Sequence, residues 1–435
     1  MKKSTVAASC LALLSLTSLP ACADWLEELK TLSGMTAPRD DSWFETLKDS
    51  GDDRALYRVL HAMPKGGDLH NHNSGSIFPE DWLAIALAQE ERGYTYYTKV
   101  AINNCREYPE VDFTYLLLFR NIDALEYEDL SQCEQSEYVR LQDMTEKQTA
   151  GWLEGLVLDD PREGRDEFFS THWQRLNALL FNPYIRAETL YYNMRGLGDE
   201  GVIYLETMVS ARQGRRPDGT VLTPPEMMDI FRARLAEPDA VATGVTVRFQ
   251  MMVLRFTPFA EKDLEELYGI ALEHPDLIVG MNMAGREDDD KGHPARFLET
   301  YRKMRQKNAL PLAIHGGEVD EPNSHVRDTL LLGATRIGHG INLITDDELM
   351  LEMRYGPYMI EINLISNLLL GYIVDYTQHP FPEFLRTGIP VALSTDDRGM
   401  WDSTMTDEFF VAVKEYNLTW AEIRELSRNS IKYAH

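Results

Sequence analysis

Pro311-Leu312-Ala313-Ile314-His315-Gly316-Gly317-Glu318 is the stretch on which the fold turns. A short apolar run of strand character stops at a histidine, and a glycine pair turns the chain tightly before a glutamate. The pattern recurs downstream: Thr335–Ile337 leads to His339, Tyr358–Ile362 follows, and Pro390–Ser394 leads to Asp396 and Asp397. Upstream lie Asp68–His72, Gly201–Val209, Val245–Leu254 and Leu277–Met283, the last leading to Gly285. The stretches between the later runs are amphipathic. Ala260–His274 places Leu264, Leu267, Ile270 and Ala271 at helical spacing, and Pro294–Lys307 and Asp346–Tyr355 do likewise. Eight strand-like runs alternating with helices predict an α/β fold, a closed (β/α)8 barrel. An open doubly wound sheet is the alternative, weakened in its dinucleotide-binding form because no GxGxxG follows any run.

The interval from Ser74 to Glu200 is too long for one crossover helix. Its far side, Arg165–Leu180 and Pro183–Met194, reads as helical, and its middle, within about residues 85–150, as an inserted helical subdomain. Residues 24–66 read as an N-terminal helical segment and 67–435 as the barrel unit. Residues 1–23 read as an export signal: Lys2 and Lys3 precede a short apolar stretch, Val6 to Leu16, and Ala21-Cys22-Ala23 fits a cleavage site. Leu19 to Cys22 also resembles a bacterial lipobox, so free export and a lipid anchor at Cys22 both stay open. The expected location is periplasmic, secreted or anchored at the cell envelope. No later segment is a continuous apolar span of membrane length. Cys105 and Cys133 are then the remaining pair, which in an exported chain reads as one disulfide, with two separate buried thiols as the other reading. Closing that loop is worth roughly 3–4 kcal/mol by chain entropy.

The 435-residue chain is 44% hydrophobic and 26% charged, an ordinary globular composition. Lys+Arg number 43 against 70 Asp+Glu, a formal net charge of −27. Such a field repels phosphate backbones and anionic lipid heads, which argues against nucleic acid as a partner.

Reactive side chains gather at the C-terminal ends of the runs, where a barrel carries its active site. Run one ends in His70 and His72, run two in Glu206, run five in His315 and Glu318, run six in His339, run eight in Asp396 and Asp397. His70 and His72, two apart on a strand, point to the same side and suit a divalent metal such as zinc. Each signal alone has a structural explanation: paired core histidines, a strand-end turn, a helix N-cap. Together they supply three histidines and an aspartate for one metal, which would make a water acidic enough to attack near neutral pH. Glu318, close to a ligand, is the candidate proton donor.

With these residues in view, the sequence resembles the adenosine deaminase family of metal-dependent amidohydrolases. Met63-Pro64-Lys65-Gly66-Gly67-Asp68-Leu69-His70-Asn71-His72 resembles the family's opening "MPK" and "LH-x-H". His315-Gly316-Gly317-Glu318 resembles "HAGE", Arg336-Ile337-Gly338-His339-Gly340 matches "RIGHG", and Ser394-Thr395-Asp396-Asp397 resembles "S-x-DD". Ile365-Ser366-Asn367 with His379-Pro380 resembles "SN…HP", and Arg428-Asn429-Ser430-Ile431 the C-terminal helix. The secreted, growth-factor-like branch is the nearer resemblance, through the signal, the cysteine-bearing insertion and Gly280-Met281-Asn282-Met283-Ala284-Gly285-Arg286-Glu287-Asp288.

The resemblance implies hydrolytic deamination of adenosine or 2′-deoxyadenosine to the 6-oxo purine and ammonia. It implies one zinc on His70, His72, His315 and Asp396, with Glu318 protonating the purine ring and His339 holding the attacking water. Asp397, the backbone of Gly285, Ser74 and Glu206 are the implied substrate contacts. Ser74 stands where relatives often carry Asp, Asn282 replaces Asp, Asn363-Leu364 replaces "CP", and Arg398 replaces a Pro. Another 6-aminopurine, adenine or a 5′-modified adenosine, is the alternative substrate. A non-catalytic adenosine-binding protein on this fold is the alternative class, and a homodimer is left open.

Overall fold

A computed structural model describes residues 41–105, 113–158, 160, 162–289, 291–319 and 322–435. The expected export signal and Cys22 lie outside the described residues. Eleven strands are present among those described: β1 (Gly66–His72), β2 (Tyr96–Lys99), β3 (Asn121–Asp123), β4 (Tyr138–Arg140), β5 (Val202–Val209), β6 (Thr246–Leu254), β7 (Ile278–Ala284), β8 (Ala313–Gly316), β9 (Arg336–His339), β10 (Met359–Ile362) and β11 (Val391–Leu393).

β1-β5-β6-β7 and β8-β9-β10-β11 form two parallel four-stranded arcs. Single bridges close them into a barrel, Met281 with Leu312 at one seam and Asn71 with Asp396 at the other. At the second seam the His72 N–H donates to the Asp396 carbonyl at 3.1 Å and the Asp396 N–H to the His70 carbonyl at 2.9 Å. The barrel thus closes on three of the expected metal ligands. All eight barrel strands fall on the eight apolar runs, and the helices Ala260–Glu273, Leu298–Arg305 and Asp347–Tyr355 follow as the periodicity predicts.

Alternation along the strands explains the two environments. Phe249, Met251 and Val253 face outward and are buried against helices through Phe231, Leu264 and Leu267. Residues between them face the barrel axis, where the core is polar. The Arg336 guanidinium bridges Glu206 at 2.6 Å and Glu361 at 2.7 Å, with all three side chains no more than 1% exposed. Burying one guanidinium costs several kcal/mol unless it is matched, and two carboxylates match it here.

The insertion differs from the helical subdomain expected. Its centre is an antiparallel sheet of order β3-β2-β4, with short helices around it. These strands are three or four residues long, too short for a periodicity to register. Cys105 and Cys133 are joined, with Cα atoms 5.5 Å apart. The Trp152 indole N–H donates to Asn121 at 2.9 Å and ties the sheet to the helix Glu146–Glu154. Beyond it the expected helix Arg165–Leu180 is broken: a π turn over Phe168–His172 separates two short α segments. Such turns re-aim side chains, and Phe168 and Phe169 are delivered to the barrel mouth. No described helix is long and apolar enough to cross a membrane.

Candidate active site

His70 and His72 leave β1 on one side, His315 ends β8, and Asp396 follows β11. One ligand atom from each lies within 4.8 Å of the others. Asp396 Oδ1 is 3.5 Å from His70 Nε2 and 3.2 Å from His72 Nε2, and the Nε2 atoms of His72 and His315 are 3.2 Å apart. The outer nitrogens are held from behind. His70 Nδ1 donates to Glu361 at 2.7 Å and His315 Nδ1 to the Asn282 side-chain oxygen at 2.9 Å. Ser366 donates to the second Asp396 oxygen at 2.6 Å. An acceptor tied to the far nitrogen holds the proton there and leaves Nε2 as a lone pair aimed inward, as metal-ligating histidines have it. His70 Nε2 is buried without a hydrogen-bond partner. The Nε2 atoms of His72 and His315 at 3.2 Å, the unpartnered Nε2 of His70 and a carboxylate fit a divalent cation, and the N3O set suits zinc. Charge agrees. Burial alone would push the His70 imidazole down, but the adjacent Asp396 and Glu361 carboxylates carry it up to about 10, so the pocket's acids call for a positive charge.

Two non-glycine residues here sit in the left-handed region, Asp396 at φ 55° and His339 at φ 65°. This backbone costs of order 1–3 kcal/mol and persists where surroundings over-determine it. It turns the Asp396 carboxylate across the barrel seam and His339 over the metal cluster.

Glu318 is carried by the Gly316-Gly317 turn. Gly317 has φ +73° and its N–H donates to Glu287 at 3.0 Å; Glu287 is itself held by Arg255 and His325. Burial, with the Asp396 and Glu287 charges, pushes the Glu318 carboxyl well above its ordinary range. His339 Nε2 lies 3.4 Å from it. Asp397 Oδ1 is buried without a partner. Burial raises this carboxyl well above its ordinary range too; His72 opposes and Asp396 adds to the rise.

These groups open into a cavity of about 480 Å³ lined by His72, His315, Glu318, Asp396, Asp397, Gly285 and Ser74. Its outer wall is aromatic, from Phe168, Phe169, Trp173, Phe181 and Phe256. The lining cations are spent: Arg186 donates to the carbonyls of Leu180, Ser210 and Arg212, and Arg212 pairs with Asp263 at 2.6 Å.

Of the sequence-derived site residues, Glu206 is misplaced as a substrate contact. β5 continues past it to Val209, and Met208, the next residue on the same face, reaches the cavity instead. Glu206 lies one layer deeper, accepting from Arg336, Gln250 and Tyr204. Gln250 in turn accepts from Asn282 at 2.7 Å, so Glu206 supports His315 at a distance through two amides. Glu361, which backs His70, is marked in the sequence only as a lone carboxylate inside the run Met359-Ile360-Glu361-Ile362. The departures also find places. Arg398 is buried in an ion pair with Glu200 at 2.9 Å, and Asn282 keeps the hydrogen bond to His315 without a charge.

A profile of the adenosine deaminase family matches residues 168–435. The adenosine deaminase of Shewanella denitrificans is 34% identical over 174 residues, 40% of this chain and 51% of the relative. The chain spans about half the length of the curated relatives it matches. Among solved structures, the adenine deaminase of Arthrobacter aurescens is similar at a TM-score of 0.60 and 20% identity, covering 85% of this chain and 94% of that one. A zinc-bound amidohydrolase from Burkholderia ambifaria is similar at 0.60 and 16% identity, covering 88% of each. At these identities the structural likenesses bear on the fold alone.

Proposed function

The chain belongs to the adenosine deaminase family, and from that premise we propose that it hydrolyses adenosine or 2′-deoxyadenosine to inosine or 2′-deoxyinosine and ammonia. The observation that carries the reading is a buried carboxyl, Glu318, opening into the same cavity as a four-residue cluster fit for a cation. His70, His72, His315 and Asp396 would hold one zinc, which supplies an acidified water and charge stabilisation when bound. Attack at purine C6 breaks the ring's aromaticity and needs a proton at the neighbouring ring nitrogen. Glu318, whose carboxyl burial raises, can donate there in its acid form, and the carboxylate left behind can take a proton from the attacking water and pass it to the departing amine. His339 holds the attacking water beside Glu318. Asp397, whose carboxyl burial raises, would in its acid form donate to an imidazole-ring nitrogen of the purine, and Gly285 lines the same cavity.

A second reading, adenine or a 5′-modified adenosine, is favoured by Ser74 and the aromatic wall, which leave room beyond a purine. A nucleotide is disfavoured because Arg186 and Arg212 are already engaged. Export from the cytoplasm, free or through Cys22, belongs to the same proposal, on the reading of residues 1–23. The test is an absorbance assay of zinc-replete protein on adenosine, 2′-deoxyadenosine, adenine and AMP. Adenosine or its deoxy form should be consumed fastest. Consumption of none of them would overturn the proposal.

A further inference from the structure

His339 has two ring nitrogens, and which one carries the proton decides whether it can take a proton from a water or only donate to it. Nε2 faces the site, 3.4 Å from Glu318, and has no hydrogen-bond partner within the protein. Nδ1 faces away, toward the helix Leu364–Leu369 that follows β10. There the Asn367 amide nitrogen lies 3.0 Å from it and that of Asn363 3.2 Å.

An amide can be turned end for end, so this contact alone does not settle direction. The next two links do. The Asn367 oxygen lies 3.0 Å from His379 Nε2, and His379 Nδ1 lies 3.0 Å from the backbone N–H of Phe381. A backbone N–H can only donate. His379 Nδ1 must therefore be the acceptor, and its proton sits on Nε2. That proton goes to the Asn367 oxygen, which turns the Asn367 NH₂ toward His339. His339 Nδ1 is in turn an acceptor, and the proton of the neutral ring sits on Nε2. Every member is buried: His339 and Asn367 are 0% exposed and His379 is 1%. Water cannot interrupt the chain. Burial also pushes His379 down to about 3, which keeps its ring neutral and the direction single.

We propose that the chain Phe381–His379–Asn367 fixes His339 as its Nε2–H tautomer, making Asn367 and His379 positioning residues for the hydrolytic step. In this form His339 donates a hydrogen bond to the attacking water and is not its resting base. The functional part of this inference rests on the deaminase reading; the tautomer does not.

The experiment is neutron diffraction on deuterated holoenzyme crystals, joined to kinetics of three variants. Deuterium is expected on His339 Nε2 and not on Nδ1. N367D replaces the NH₂ donor by an acceptor, which should draw the proton to His339 Nδ1. It should lower kcat on adenosine by about 10–100-fold, with affinity for inosine changed less than about threefold. H379L should fall similarly, because Asn367 is then free to turn. H379Q keeps an N–H for the Asn367 oxygen and an acceptor for Phe381, and should stay within about threefold of wild type. Deuterium on Nδ1 of the wild-type His339 overturns the proposal, as does H379L with unchanged kcat. If no 6-aminopurine is turned over, the diffraction result still decides the tautomer, so the two readings fail separately.

Discussion

Gly75 lies against Asp397 so closely that a single methyl group should disable purine binding. A Cβ built on Gly75 would stand 1.6 Å from Asp397 Oδ1, 2.4 Å from Cγ and 2.8 Å from Cβ. Turning the carboxylate away relieves the first contact but not the last. An ordinary carbon contact begins near 3.4 Å, so the two backbones must separate by at least about 0.6 Å. They are stitched together where this would have to happen: the N–H groups of Gly399 and Met400 donate to the Gly75 carbonyl at 3.0 and 3.1 Å. The displacement therefore falls on Asp397 and on its neighbour Asp396. Misplacement of this size at a reacting centre costs on the order of 10²-fold in rate. Overpacking should also cost about 1–3 kcal/mol in stability, too little to unfold most domains. The assay is the decay of adenosine absorbance by Gly75→Ala, with thermal melting as the folding control. We expect kcat/KM lowered by about 100-fold in a folded protein. A folded Gly75→Ala protein within about threefold of wild type would refute the role given to Asp397.

His72→Ala should lose zinc and activity together, since it removes one of four ligands; full zinc occupancy by elemental analysis would refute the ligand set. Stability should fall in acid partly through His379. Burial holds its folded-state value near 3 against an ordinary 6.5, so the unfolded chain binds the proton more readily. Its contribution is whole above about pH 6.5 and is lost as pH falls through the window from 6.5 to about 3. The slope is about 1.4 kcal/mol per pH unit, so close to 3 kcal/mol should disappear by about pH 4.5. His379→Gln should flatten the dependence of Tm on pH in that range, and an unchanged slope would exclude the assignment.

The barrel was legible because its strands are apolar runs ending in reactive residues, a pattern that needs no long-range information. His70, His72, His315, Glu318, His339, Asp396 and Asp397 were legible for the same reason: each sits where a strand stops. What was not legible depends on depth and direction. Glu206 looked like a strand-end residue, yet β5 runs on to Val209 and leaves it a layer below the cavity. The run Gly201–Val209 itself ends three residues beyond Glu206, so what the pattern does not carry is depth along the barrel axis. The sheet β3-β2-β4 is made of pieces too short to show a period, and the π turn at Phe168–His172 has no local signature in a helical stretch. The links from Asn367 to His379 and from Glu206 to His315 join residues from different strands and helices, so no local pattern records them.

The most direct test of the account is Glu318→Gln. It keeps the shape of the side chain and removes its ability to give up a proton. Zinc content, inosine affinity and single-turnover rate on adenosine are measured on the same preparation. The account predicts zinc retained, affinity little changed, and a rate lowered by about 10²–10⁴-fold or more, the signature of an interaction made in the transition state. Turnover within about tenfold of wild type would mean that the proton comes from another group and that the central role given to Glu318 is wrong.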